Sequence, residues 1–192
     1  MEGYRPNASG GPAGPGYDAA AGAHGGRSAN NGDFVNGTAS APVNLGSAGN
    51  FAWGGGAIKI SASGAITING QMNTNAQNGG RNGAGGSVWL IAGTLFGGST
   101  GQIQANGGSG VDSGGGYTGG GGGRIAIDAG TYSYTGTYEC KGGLGSGTAA
   151  AGTLVLPSGV DLTVSKEIGF PPGTTTLGNL VVTGTGKILA HG

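Results

Sequence analysis

The chain has few charged side chains and no long apolar segment. Charged residues make up 8% of its 192 residues, where about 25% is usual. Eight basic and eight acidic side chains cancel, so electrostatic attraction favours neither nucleic acid nor an anionic membrane as a partner. No apolar run approaches the roughly 18 residues that span a bilayer. We therefore predict no nucleic-acid binding and no membrane insertion.

Cysteine and histidine are almost absent. The single cysteine, Cys140, excludes an internal disulfide. His24 and His191 lie far apart without ligand-like neighbours, and both are expected to be solvated. The first 30 residues contain no apolar stretch that could act as a signal sequence, so we expect any export signal to lie elsewhere or to be removed. No metal or cofactor is predicted.

Glycine is the residue that the chain has in excess. It supplies 51 residues, against a usual share of about 7%. Such a composition is typical of flexible linkers, but short apolar runs with strand-like alternation recur along this chain. The glycines are therefore expected to serve turns and close backbone packing. Helix is not expected, because glycine costs about 1 kcal/mol per helical position relative to alanine and no apolar period of 3.6 residues is present.

Two motifs repeat in step along the chain. Ile58, Val88, Ile125 and Leu154 occupy the same place in the first motif, at spacings of about 30, 37 and 29 residues. Spacings of this size indicate a repeat architecture. The second motif comprises residues 70–75, 101–106, 136–141 and 186–191. A looser third strand is predicted between them, at residues 65–68 and 94–96.

The alternation of side chains across each strand divides an inner from an outer face. The predicted inner residues of the first motif are Ile58, Ile60, Val88, Leu90, Ile125, Ile127, Leu154 and Leu156. Those of the second motif are Met72, Thr74, Ile103, Ala105, Tyr138, Cys140, Ile188 and Ala190. Cys140 is therefore predicted to be a small core residue.

These patterns predict an all-β fold, a parallel β-solenoid (β-helix) with long glycine-rich loops and about 26–37 residues per coil. Residues 53–192 would form the repeats. Residues 1–52 would be a glycine-rich cap or covering loops, with packed polyproline-II-like glycine strands as one form.

A resemblance accompanies the repeats. Residues 83–90, 101–108 and 119–127, which read GAGGSVWL, GQIQANGG and GGGGGRIAI, resemble the glycine-rich β-helical repeats of large bacterial surface and adhesin-like proteins. The resemblance covers roughly residues 45–156. It implies an extracellular or cell-surface scaffold, and it carries no catalytic residue over to this chain.

Catalytic and metal-binding motifs are weak. A polysaccharide-active enzyme needs clustered carboxylates, but in the alignment neither the Asp128 column nor the Glu139 column holds a second acid. Residues 107–112 match the first six positions of a calcium-binding nonapeptide, and the match then fails at Gly114. We predict no catalytic residue and no enzyme activity.

The outer face of the repeats offers a tentative glycan-binding surface. Its predicted members are Trp89, Asn73, Asn75, Gln104, Asn106, Glu139 and Lys141. Amide rows beside an aromatic ring can bind sugar by hydrogen bonding and stacking. The alternative interpretation is a structural amide ladder, with Trp89 covered by a glycine-rich loop.

The function predicted from the sequence is mechanical. We expect a non-enzymatic, rigid segment of an extracellular or cell-surface protein that self-associates end to end into filaments, because open sheet edges add further strands. A carbohydrate-binding adhesin module, with a polysaccharide as partner, is the first alternative. A polysaccharide-active β-helix enzyme is the second.

Overall fold

The computed structural model describes residues 4, 14–15, 21–29, 35–110 and 117–190, and it is all-β over these ranges. The strands are β1 Ala57–Thr67, β2 Gln71–Asn73, β3 Ser87–Gly97, β4 Gln102–Gln104, β5 Arg124–Tyr134, β6 Thr137–Glu139, β7 Thr153–Val155, β8 Leu162–Val164, β9 Glu167–Phe170, β10 Leu180–Val182 and β11 Lys187–Ala190. None of the described residues is helical, and among them no helix suited to crossing a membrane is found.

The repeated motifs pair with one another in parallel. The first motif forms a four-stranded sheet in the order β1-β3-β5-β7. Its register places Ile58 beside Val88, Val88 beside Ile125 and Ile125 beside Leu154. The second motif forms the three-stranded sheet β2-β4-β6, where Ile103 lies between Met72 and Tyr138. The alignment of the first motif and of the first three copies of the second motif is confirmed.

The prediction of a β-solenoid is wrong. The described strands form four small separate parallel sheets, the last two being the pairs β10-β8 and β11-β9, and they do not join into a closed β-helix. The second-motif strands are only three residues long, and the glycine-rich segments between strands do not enter a ladder. The predicted third strand is the end of the long strands β1 and β3, and Ile188 pairs with Ile168 rather than with Tyr138.

Most of the predicted inner face is the core of the molecule, and Ala190 is the exception because it is exposed. Val88, Leu90, Ile125 and Leu154 are buried with at most 1% of their surface exposed. Ile103, Tyr138 and Cys140 from the second sheet belong to the same cluster. Residues on the outermost strands, such as Ile60 and Met72, are only partly buried, because they have a neighbouring strand on one side alone.

A second region is packed through its backbone. Gly86, Gly123 and Gly152 immediately precede β3, β5 and β7. A Cβ atom on Gly86 would overlap the Gly56 carbonyl oxygen, one on Gly123 the Gly86 oxygen, and one on Gly152 the Gly123 oxygen. These glycines form a column, which we call the glycine column, where only a residue without a side chain allows such close approach.

The described part of the N-terminal region lies against these repeats. The Gly22 N–H donates to the Asn82 carbonyl at 2.9 Å, and the Gly121 N–H donates to the Gly22 carbonyl at 2.9 Å. The Gly25 N–H donates to the Gly122 carbonyl at 3.0 Å. Residues 21–29 are thus tied by their own backbone to the glycine-rich segments that precede the long strands.

Candidate functional site

The amide side chains of the predicted glycan surface bond to one another. The Gln71 Nε2 group donates to Gln104 Oε1 at 2.7 Å. The Gln104 Nε2 group donates to Glu139 Oε2 at 3.1 Å. Asn106 Nδ2 donates to the same carboxylate oxygen at 2.8 Å. Asn73, Asn75, Gln104, Asn106, Glu139 and Lys141 form what we call the amide ladder.

The asparagines of the amide ladder also bind backbone N–H groups, two of them in the next repeat. Asn75 Oδ1 accepts from the Asn106 N–H at 2.7 Å, and Asn106 Oδ1 accepts from the Lys141 N–H at 3.0 Å. Asn73 Oδ1 accepts from the Asn75 N–H at 2.8 Å. These oxygens satisfy groups that a short strand leaves unpaired. The arrangement matches the structural interpretation of these residues.

Trp89 lies on a different sheet from the amide ladder, since it belongs to β3 while the ladder residues lie in β2, β4 and β6 or just after them. The ring lies between Lys59 and Ala126 in the register, as the alignment predicts. Lys59 Nζ lies 3.8 Å from the ring centroid, a cation–π contact. The Trp89 Nε1 group is buried without a hydrogen-bond partner. The predicted glycan surface is therefore two separate features.

The structure also places two acidic residues that the sequence alignment kept apart, Glu139 and Glu167, on neighbouring strands. The Cys140 N–H donates to the Glu167 carbonyl at 3.1 Å, which makes β6 and β9 neighbours. Glu139 Oε1 lies 3.6 Å from Lys141 Nζ, and Glu167 Oε2 lies 3.3 Å from Lys187 Nζ. Each carboxylate is engaged by its own lysine. The alternation in residues 167–170, which matches that of 187–190, is the signal that could have revealed this neighbour.

His24 is the clearest departure from the sequence analysis. The prediction that it is solvated is wrong, because its side chain is fully buried. Its Nδ1 atom lies 3.0 Å from Asn36 Oδ1, and its Nε2 atom lies 2.9 Å from Ser87 Oγ. The local sequence contains no pattern that predicts the burial of His24, since its partners lie 12 and 63 residues away. His191 lies outside the described residues.

Arg124 also bonds to the backbone of His24 and Asn36. Its Nε group donates to the Asn36 carbonyl at 3.0 Å, and its Nη2 group donates to the His24 carbonyl at 3.3 Å. Burial lowers the pKa of His24 from 6.5 to about 4, the positive charge of Arg124 lowers it as well, and the hydrogen bond to Asn36 partly opposes both effects. The imidazole is therefore neutral at pH 7.

Ser87, His24 and Asn36 are hydrogen-bonded in series, which is how a nucleophile, a base and an orienting group are arranged in a catalytic triad. Neither Ser87 nor His24 exposes any surface to solvent. The Ser87 Oγ atom also lies 2.7 Å from the Asn44 carbonyl oxygen, to which its single proton can be donated in place of His24 Nε2. No reacting atom can approach Ser87 Oγ in the folded state. The trio is a structural link between the N-terminal region and the sheet, and we call it the His24 junction.

Cys140 is buried as predicted. Burial raises the pKa of its thiol to about 12, and the charges of Glu167 and Glu139 raise it further, while backbone hydrogen bonds from Gly169 and Gly152 act against the rise. A thiol in this state is a poor nucleophile. The predicted calcium match lies partly outside the described residues, because Val111 and Asp112 are not among them. No group of three or more His, Cys, Asp or Glu residues that could hold a metal occurs in the ranges that the structure describes.

The chain has no recognisable relative in three comparisons: no family model matches it, and neither a curated protein nor a solved structure is significantly similar to it.

Proposed function

We propose that the chain is a non-enzymatic structural segment of an extracellular or cell-surface protein, a rigid scaffold that associates with further copies of itself through open sheet edges. The observation that carries this proposal is the eleven-residue strand β1, which has β3 on one side and no strand of the described residues on the other. The extracellular setting rests on the resemblance of the repeats to bacterial surface proteins.

The described residues leave the outer edge of β1 without a partner strand. The Ser87 N–H donates to the Gly56 carbonyl at 3.0 Å. Backbone groups alternate in direction along a parallel strand, so Lys59 and Ser61 turn their N–H and C=O groups away from β3. The side chains of Lys59 and Ser61 are both exposed. A long open edge of this kind favours the addition of another strand.

A second open edge lies at the other end of the molecule. Contacts between strands run from β1 through β3, β5, β7 and β9 to β11, so β1 and β11 are the two ends of this series. The neighbouring strand β10 pairs only with β8. Its side chains Leu180, Val181 and Val182 are 47%, 52% and 51% exposed. A contact between two different edges repeats from copy to copy and produces an open filament.

Two further features support a structural role. The glycine column allows little movement, because backbone atoms contact backbone atoms directly. The net charge is zero, and this gives little electrostatic repulsion between copies. The engaged carboxylates and the buried Ser87 hydroxyl do not favour the enzyme alternative, and the satisfied amide ladder does not favour the adhesin alternative.

The test is negative-stain electron microscopy of the purified chain at increasing concentration, together with sedimentation velocity. We expect filaments or larger oligomers of the unmodified chain. Ser61→Pro removes one outward N–H group and should abolish association with the monomer still folded, because proline is tolerated where the N–H faces solvent. Ser61→Thr is the matched control and should assemble normally. Uniform monomers of the unmodified chain at every concentration would contradict the proposal.

A further inference from the structure

The fourth strand of the main sheet ends early. β1, β3 and β5 each contain eleven residues, whereas β7 contains three. β7 pairs only with Arg124, Ile125 and Ala126. The remainder of β5, from Ile127 to Tyr134, has no partner strand on this side among the described residues. The sheet therefore contains an unfilled strand position.

The sequence after β7 explains this gap. Pro157 has no N–H group and cannot continue the ladder. Gly159 has a φ of +78°, a left-handed conformation that favours glycine and turns the chain. The segment 157–161 consequently departs from β5 instead of following it.

A groove occupies the unfilled position. It has a volume of about 460 Å³, with residues 129–130 and 132–135, from the second half of β5 and the residue after it, on one side and residues 157–161 on the other. This volume lies in the range of about 300–1,000 Å³ that is usual for ligand-binding clefts. We call it the β5 groove.

The lining of the β5 groove indicates what kind of ligand fits. Tyr134 is buried with 4% of its surface exposed, and the Tyr132 hydroxyl lies 3.0 Å from that of Tyr138. Tyr132 is half-buried, so the aromatic surface open to a sugar at this groove is at most part of one ring. The free edge of β5 instead presents backbone donors and acceptors at strand spacing, and another extended backbone is their natural complement.

The charge of the groove lining further limits the kind of ligand that fits. Asp161 is the only lining side chain that carries a charge at neutral pH. Its Oδ1 atom accepts from the Asn179 N–H at 2.7 Å and from Asn179 Nδ2 at 2.9 Å. Asp128, which is exposed, stands one residue before the lining part of β5. A basic side chain is the electrostatic complement of Asp161 and Asp128.

We propose that the β5 groove binds an extended peptide segment of another polypeptide, which adds to the sheet as a strand alongside Ile127–Tyr134 and places a basic side chain near Asp161. This site is separate from the β1 edge, so it stands or falls independently of self-association.

The experiment is selection of a phage-displayed random octapeptide library on the intact chain, followed by calorimetry with the selected synthetic peptides. Ser158→Trp fills the groove at an exposed position and should remove the selected binding. Thr163→Trp adds the same side chain at an exposed position on β8, outside the groove lining, and should bind as the unmodified chain does.

Two further measurements identify the mode of binding. N-methylation of alternate peptide nitrogens should weaken binding at least about tenfold, because strand addition needs the backbone N–H groups. Asp161→Asn keeps the Oδ1 acceptor for Asn179. It should weaken the binding of basic peptides several-fold and leave the binding of neutral peptides unchanged. On binding, amide exchange should slow within Ala129–Tyr134. The proposal is overturned if no selected peptide depends on an unfilled groove, if N-methylation has no effect, or if a glycan array rather than the peptide library shows the Ser158→Trp-sensitive binding.

Discussion

The long strands and the glycine column exclude water by different physical means. Between β1, β3 and β5, apolar side chains such as Val88, Leu90 and Ile125 interdigitate, and their burial drives folding. In the glycine column, the atoms in contact belong to the backbone itself, and hydrogen bonds such as that from the Gly86 N–H to the Thr74 carbonyl, at 2.8 Å, fix the spacing. A side-chain core specifies shape through many adjustable rotamers, whereas a backbone core specifies it through rigid peptide planes.

The largest expected effect tests the glycine column directly. Gly86→Ala places a Cβ atom on the Gly56 carbonyl oxygen, and neither peptide can move without breaking its hydrogen bonds. We expect a loss of roughly 3 kcal/mol or more in unfolding free energy, or no folded protein, in urea titration.

Gly64→Ala is the matched control for that substitution. Gly64 lies in β1, and a Cβ atom there would have nothing within 4 Å. Stability should change little or rise by about 0.4–1 kcal/mol, because alanine restricts the unfolded chain. Equal losses at Gly64 and Gly86 would show that glycine is needed for its backbone freedom and that close packing is not the reason.

The second prediction concerns the His24 junction, where the two regions meet. The pKa of His24 is about 4 in the folded chain and 6.5 in the unfolded one. Its neutral form therefore stabilises the fold fully above pH 6.5, and this contribution is lost as the pH falls towards 4. The loss should be about 3 kcal/mol. Urea titrations at pH 7 and pH 4 measure it.

His24→Gln isolates this contribution from that of the carboxylates. Glutamine can bond to Asn36 and Ser87 but does not titrate, so the variant should lose less stability between pH 7 and pH 4 than the unmodified chain. If both lose the same amount, the His24 junction does not link the two regions through the imidazole.

The smallest expected effect lies in the amide ladder. Asn106→Ala leaves the buried Glu139 carboxylate without one donor and the Lys141 N–H without its acceptor. We expect a loss of about 1–3 kcal/mol. Asn73→Ala removes an exposed amide and should cost less than about 0.5 kcal/mol. Thermal unfolding of the two variants checks the difference, and a larger loss at Asn73 would refute the ladder as a buried support.

Sequence reasoning found the repeats because strand alternation is local. The register from Ile58 to Leu154 and the buried Cys140 could both be read from it. The prediction of a closed solenoid was wrong because it assumed that three-residue strands such as β2 and β4 continue into complete coils. The later alignment failed at Ile188, since the segment after Pro157 follows a shorter repeat that pairs β9 with β11.

The sites depended on contacts that no local pattern encodes. The partners of Arg124 in the His24 junction lie 88 and 100 residues away in sequence, and no named strand lies in the described part of their chain segment. The shortness of β7 was foreseeable in part, because Pro157 is visible in the sequence. The groove beside β5 was not foreseeable, since it depends on where the departing segment goes.

The glycine column also determines how this protein can change over generations. Around Leu90 or Ile125, a substitution can be absorbed when neighbouring side chains choose other rotamers, so several apolar residues are acceptable there. At Gly86, Gly123 and Gly152, the obstacle is a carbonyl oxygen, and no neighbour can adjust to make room. Natural variants should therefore accumulate in the apolar core and at open positions such as Gly64, while the column stays invariant. A comparison of natural variants would show that the most constrained residues of this chain are those that have no side chain.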